Sequence, residues 1–120
     1  MVTQAALADL VEGALEELRA RDIRVLDVSG LTSIMDTMVV ASGTSDRHVR
    51  ALADKVVQAA KAAGVPPLGM EGETQGEWVL VDLGDLVLHI MLPQIRDLYQ
   101  LEKLWDAQRF GGADLANDSR

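Results

Sequence analysis

Hydrophobic positions along the chain change rhythm several times, and each rhythm predicts an element. From Thr3 to Ala20, Leu7, Leu10, Val11, Ala14, Leu15 and Leu18 return at steps of three and four, which lays one apolar stripe along a helix. Thr3 can cap its start, and Arg19 and Arg21 place positive charge at its end, beside the negative pole of the helix dipole. The period then becomes two. Between Ile23 and Val28, Ile23 and Val25 fall on one face while Leu26 and Val28 fall on the other, as in a strand. After a connection over Ser29 to Asp36, the run Thr37-Met38-Val39-Val40-Ala41-Ser42 is nearly continuous in apolar residues, the pattern of an interior strand covered on both sides.

Gly43-Thr44-Ser45 turns the chain into a second helix, with Ser45 as its N-cap and Asp46 in the dipole-favoured first turn. Val49, Leu52, Ala53, Val56, Ala60 and Ala63 line its buried side; Gly64 ends it, and Pro66-Pro67 forbid its continuation. Leu68 to Glu71 can add a short strand. Gly72 to Trp105 then reads as a hairpin running into a helix that starts at Pro93, with Ile95, Leu98, Leu101, Leu104 and Trp105 at helical spacing. If Leu83-Gly84 form the hairpin turn, Trp78 lies opposite His89, Leu80 opposite Val87 and Asp82 opposite Asp85. One face of the hairpin is then aliphatic (Val79, Val81, Leu86, Leu88, Ile90, Leu92) and belongs in the core. The other (Trp78, Leu80, Asp82, Asp85, Val87, His89, Met91) is mixed and less completely covered. Together the elements give an α/β fold: a single domain over residues 1–106, with a mixed β-sheet flanked by helices, and a flexible polar tail over 107–120.

Composition narrows the function. The 120 residues include no cysteine, which removes disulfides, thiolate metal sites and cysteine nucleophiles. No apolar run approaches the ~20 residues that span a bilayer, and no basic leader precedes an apolar block at the N-terminus, so a cytoplasmic protein without a membrane partner is expected. The net charge of −8 disfavours direct binding of DNA or other nucleic acid through phosphates and suits a basic protein partner.

Candidate chemistry is sparse. The Gly43-Thr44-Ser45 junction could present helix N–H groups to a phosphate, but no Walker lysine or glycine-rich fingerprint accompanies it. Asp82 and Asp85 flank a turn, Asp27 and Asp54 stand alone, and Glu71 and Glu73 sit beside Gly72, so no carboxylate pair converges on magnesium. His48 and His89 have no matched third ligand for a metal. No catalytic residue, metal site or cofactor is assigned. Aromatic residues make up only 3% of the chain, and both tryptophans and the one tyrosine fall between Gly72 and Trp105. Aromatics of this kind act as core anchors or interface hot spots.

The motifs taken together resemble one family. Asp36 to Ser45, Arg47-His48-Val49, Glu71-Gly72, Gly76 to Asp82 and Arg96 to Trp105 look like the ribosomal silencing factors, also called Iojap-like proteins, in the same order and spacing from about Leu7 to Trp105. The resemblance implies a domain with nucleotidyltransferase-like topology but without the catalytic carboxylates, and hence no enzyme. It implies binding to a large-subunit ribosomal protein, number fourteen in the bacterial series, on the 50S face where the small subunit docks. Occupying that face blocks subunit joining and represses translation under nutrient limitation. It also implies a homodimer when free. Carried over by position, Trp78, His89, Arg96, Asp97, Tyr99, Leu101 and Glu102 match the family's elements; Trp78 and Tyr99 would be the anchors, and Asp82, Asp97 and Glu102 rim acids. Thr37-Met38 and Leu98 stand where the family more often has aromatics and are expected in the core. The rival roles are large-subunit assembly factor and active nucleotidyltransferase.

Overall fold

The periodicities resolve into α1 (Gln4–Glu17), β1 (Arg21–Asp27), β2 (Thr37–Ser42), α2 (Asp46–Ala62), β3 (Gly69–Glu71), β4 (Trp78–Asp82), β5 (Leu86–Met91) and α3 (Pro93–Tyr99). The structure, a computed structural model, describes residues 2–103. The predicted tail and the packing expected of Leu104 and Trp105 lie outside the described residues.

The five strands form one mixed sheet in the order β1-β2-β5-β4-β3. β2 and β5 run parallel at its centre, and every other pairing is antiparallel. β1 and β5 pair both edges of β2, and its two faces are covered as well: Val39 and Ala41 join the main core, and Met38 and Val40 a second cluster behind the sheet. The main core is the aliphatic hairpin face (Val79, Val81, Leu86, Leu88, Ile90) packed under α1 and α2. Each fully buried aliphatic side chain there contributes about 1.5–3 kcal/mol. Among the described residues, the opposite face is covered by α3, helical backbone at 101–103 and Met35 of the β1–β2 connection.

Both long helices begin as predicted. Thr3 Oγ1 accepts from the Ala6 N–H at 3.0 Å, and Ser45 Oγ from the His48 N–H at 3.1 Å. The end of α1 differs. Its last turn holds no basic residue. Arg19 instead takes a left-handed φ of 61° in a closing turn in which its N–H donates to the Glu16 carbonyl, and Arg21 opens β1. The charge expected to oppose the dipole is therefore past the helix. Leu18, read as part of the buried stripe, is the partly exposed C-cap.

The hairpin register also differs from the predicted one. Trp78 lies opposite Met91, Leu80 opposite His89 and Asp82 opposite Val87, two residues away from the expected pairing. The cause is Leu83. Its side chain is buried in the main core, so it stays in the ladder, donating its N–H to Leu86 O at 2.9 Å, and the turn moves to Gly84-Asp85. Gly84 takes φ +93°, a value glycine adopts at little cost, and its N–H donates to Asp82 Oδ1 at 2.9 Å. A slip of two preserves side-chain parity, so both predicted faces survive.

The last helix is shorter than its apolar spacing suggests. α3 ends at Tyr99, and Gln100 adopts a left-handed φ of 47° before helical backbone resumes at 101–103. Leu98, expected in the core with Thr37 and Met38, is 72% exposed, whereas Met38 is buried and Thr37 half-buried.

Candidate docking surface

The mixed sheet face ends at Trp78, the first residue of β4. Its ring packs half-buried against the second cluster, which contains Leu26, Val28, Met38, Val40 and Met91. The indole N–H donates to His89 Nδ1 at 3.0 Å, a diagonal contact between neighbouring strands that the observed register brings within reach. On its other side Trp78 meets Tyr99, with ring centroids 5.0 Å apart and planes tilted by 49°. Tyr99 is 58% exposed, and Leu98 beside it is more open still. The α3 terminus therefore presents an aromatic–aliphatic edge braced from behind by Trp78.

His89 supports this edge and does not join it. It is buried, and accepting the indole proton at Nδ1 puts its own proton on Nε2. Burial lowers its pKa from 6.5 to about 4, so the ring is neutral at pH 7. Between those two values the unfolded chain binds the extra proton and the folded chain does not, so stability rises with pH. The contribution is fully present above about pH 6.5 and is lost as pH falls toward 4, amounting to roughly 3 kcal/mol at most at about 1.36 kcal/mol per unit. A His89→Gln variant keeps an acceptor for Trp78 and is expected to show a flatter stability profile from pH 6.5 to 4 in urea titrations. An unchanged slope would remove His89 as its source.

A second cluster forms under α3. Arg96 is 7% exposed; its Nε donates to Glu102 Oε2 at 2.8 Å and its Nη1 to Ser42 Oγ at 3.0 Å. Burial alone would raise the Glu102 carboxyl, but the Arg96 hydrogen bond and the charges of Arg96 and Arg24 outweigh it and hold the pKa below the usual carboxylate range. Beside the cluster lies a cleft of about 300 Å³ lined by Asp22, Arg24 and Ser42 on the strand side and by Pro93 and Asp97 on the helix side.

The structure thus brings together Trp78, His89 and Tyr99, and separately Arg96 and Glu102. Glu102, expected as a rim acid, turns inward to Arg96. Leu101 is half-buried against the same apolar cluster that Trp78 packs on. Asp97 is exposed at the cleft. Asp82 sits four residues along β4 from Trp78, about 13 Å away at the rise of a strand, and one of its oxygens is engaged by the Gly84 turn. Sequence reasoning missed Leu98 as a surface residue and Ser42 as the Arg96 acceptor; Glu71, at the end of the short strand predicted from Leu68, pairs opposite Leu80 in β3 on the mixed face. Neither miss had a usable signal: Leu98 keeps the helical spacing of the apolar stripe, and Ser42 is a single polar residue closing an apolar strand.

The phosphate reading of Gly43-Thr44-Ser45 finds a different explanation. The Thr44 N–H donates to His48 Nδ1 at 2.9 Å, the His48 N–H goes to Ser45 Oγ, and His48 Nε2 lies 2.7 Å from the Leu18 carbonyl. The two backbone donors are spent within the start of α2, and the His48 ring ties it to the end of α1. A Cβ on Gly43 would meet Val49 Cγ2 at 2.8 Å, so that glycine serves close helix packing. Among the described residues no group of three or more His, Asp or Glu side chains is placed to hold a metal ion, and no helix is long and apolar enough to cross a membrane.

Comparison with known proteins fits this geometry. A family model described as "Ribosomal silencing factor during starvation" matches residues 2–119. The chain is 50% identical over 103 residues to a ribosomal silencing factor RsfS of Chromobacterium violaceum, covering 86% of this chain and 84% of that one. It is 37% identical over 105 residues to the mouse protein named "Mitochondrial assembly of ribosomal large subunit protein 1", covering 85% of this chain and 46% of that longer one. A crystal structure of a Chromobacterium violaceum protein superposes with a TM-score of 0.86 at 48% identity, over 88% of each chain. With the match running through the Trp78 hairpin and α3 alike, the chain belongs to the RsfS family of ribosomal silencing factors.

Proposed function

We propose that this chain is a non-enzymatic ribosomal silencing factor. It binds the large subunit through the Trp78–Tyr99 edge, blocks joining of the small subunit and represses translation under nutrient limitation. The partner is a large-subunit ribosomal protein, number fourteen in the bacterial series; the free protein is a cytoplasmic homodimer. One observation carries the reading: Tyr99 and Leu98 stand exposed on a ring that Trp78 holds from behind, at the end of a sheet face that α1 and α2 do not cover. Rigid aromatic anchors of this kind dominate interface energetics. Asp97 and Glu71 are exposed near or on the same face, and with the net charge of −8 they favour a basic partner.

Sedimentation of isolated ribosomal subunits with and without the protein tests the reading. The protein is expected to travel with the large subunit and to reduce the peak of joined ribosomes. Undiminished joining with no protein on the large subunit would sink it. The name of the mouse relative favours a second reading, a role in large-subunit assembly. In a deletion strain, accumulation of large-subunit precursors would support assembly, whereas normal subunit profiles with a defect confined to starvation would support silencing.

A further inference from the structure

Buried ion pairs are weak evidence for stability, because desolvation offsets most of their attraction, yet they can fix one geometry over its alternatives. The Arg96–Glu102 pair spans an unusual piece of backbone. Gln100, with φ 47°, interrupts the helix between them in a conformation that residues other than glycine rarely adopt. Arg96 grips that turn twice, its carbonyl accepting the Gln100 N–H at 2.7 Å and its guanidinium holding Glu102 on the far side. The guanidinium is in turn tied to Ser42 in β2, a buried residue of the sheet. Tyr99 is the last residue before the turn, so where the turn sits decides where its ring lies.

We infer that Ser42, Arg96 and Glu102 are positioning residues that lock the Gln100 turn and so hold Tyr99 over Trp78 before any partner arrives. They act through Tyr99 and do not themselves touch the partner. The binding consequence rests on the docking role proposed above; the effect on Tyr99 does not. A preset anchor avoids the ordering cost of binding, so loosening the lock is expected to weaken association about ten-fold.

Tyr99 is the only tyrosine in the chain, so ¹³C-tyrosine labelling of the full protein reports its ring alone, shifted by the ring current of Trp78. A Trp78→Leu variant supplies the unshifted reference. Glu102→Gln and Ser42→Ala are each expected to move the Tyr99 signals toward that reference and to weaken co-sedimentation with isolated large subunits. Ser42→Ala removes a single hydrogen bond from a buried side chain, so it carries the test if Glu102→Gln fails to fold. Tyr99 signals that stay in place in the folded variants would overturn the inference, and so would binding lost without any shift, since Glu102 would then contact the partner directly. Shifted signals with unchanged affinity would uphold the lock and instead remove Tyr99 from the docking reading.

Discussion

Replacing Gly72 by alanine is expected to cost about 4 kcal/mol of folding stability. Two effects add. Gly72 has φ +91°, where an L side chain is strained. A Cβ built there would also sit 2.0 Å from the Trp78 carbonyl oxygen, a backbone atom that cannot rotate away. Relief requires moving the start of β4, and with it Trp78. Urea unfolding followed by circular dichroism should show a sharply lowered midpoint. Gly13→Ala is the control: it lies exposed inside α1 with nothing within 4 Å of the new methyl, and it should stabilise by about 0.5–1 kcal/mol. A Gly72→Ala midpoint equal to that of the unaltered protein would refute the steric account.

Truncating Trp78 to alanine is expected to weaken large-subunit binding by about 2 kcal/mol or more, roughly thirty-fold. Stability should fall by about 3 kcal/mol in the same variant, because the indole packs on the second cluster and its loss leaves His89 Nδ1 without its donor. Tyr99→Ala separates the two effects. Its ring is largely exposed, so stability should change by no more than about 0.5 kcal/mol while affinity falls as for an anchor. A folded Tyr99→Ala variant that binds large subunits with undiminished affinity would take Tyr99 out of the docking surface.

Parity was easy to read in this chain, and position along the strand was not. The alternation Val79, Val81, Leu86, Leu88, Ile90 identifies the core face whatever the pairing, since any even slip leaves it intact. Placing the turn required knowing that Leu83 is buried, and a lone leucine beside a glycine does not announce whether it is a loop residue or the last rung of a ladder. The continuous apolar run of β2 gave its interior place directly. The last helix shows the opposite case. Ile95, Leu98 and Leu101 keep helical spacing straight through Gln100, so nothing in the pattern signals the left-handed residue there, nor that Leu98 is exposed while Leu101 packs on the sheet. The Arg96–Glu102 pair was hidden for the same reason: it exists because the helix breaks at Gln100, and on an unbroken helix residues six apart do not face one another. Trp78 and Tyr99 were legible as candidates through aromatic scarcity alone; their contact was not.

The parallel joint at the middle of the sheet sets the order in which the molecule can assemble. Thr37 pairs with Leu86, about fifty residues further along, whereas β4 and β5 meet across a tight turn and β1 and β2 across a short connection. Closing the longer loop forfeits the most chain entropy, so the two antiparallel units are favoured to form first and the central seam last. On a chain made from its N-terminus, β5 is also the last of the described strands to emerge. Until it does, β2 has an unpaired edge flanked by apolar side chains on both faces, and the nascent protein carries its greatest aggregation hazard at the strand that ends up most protected.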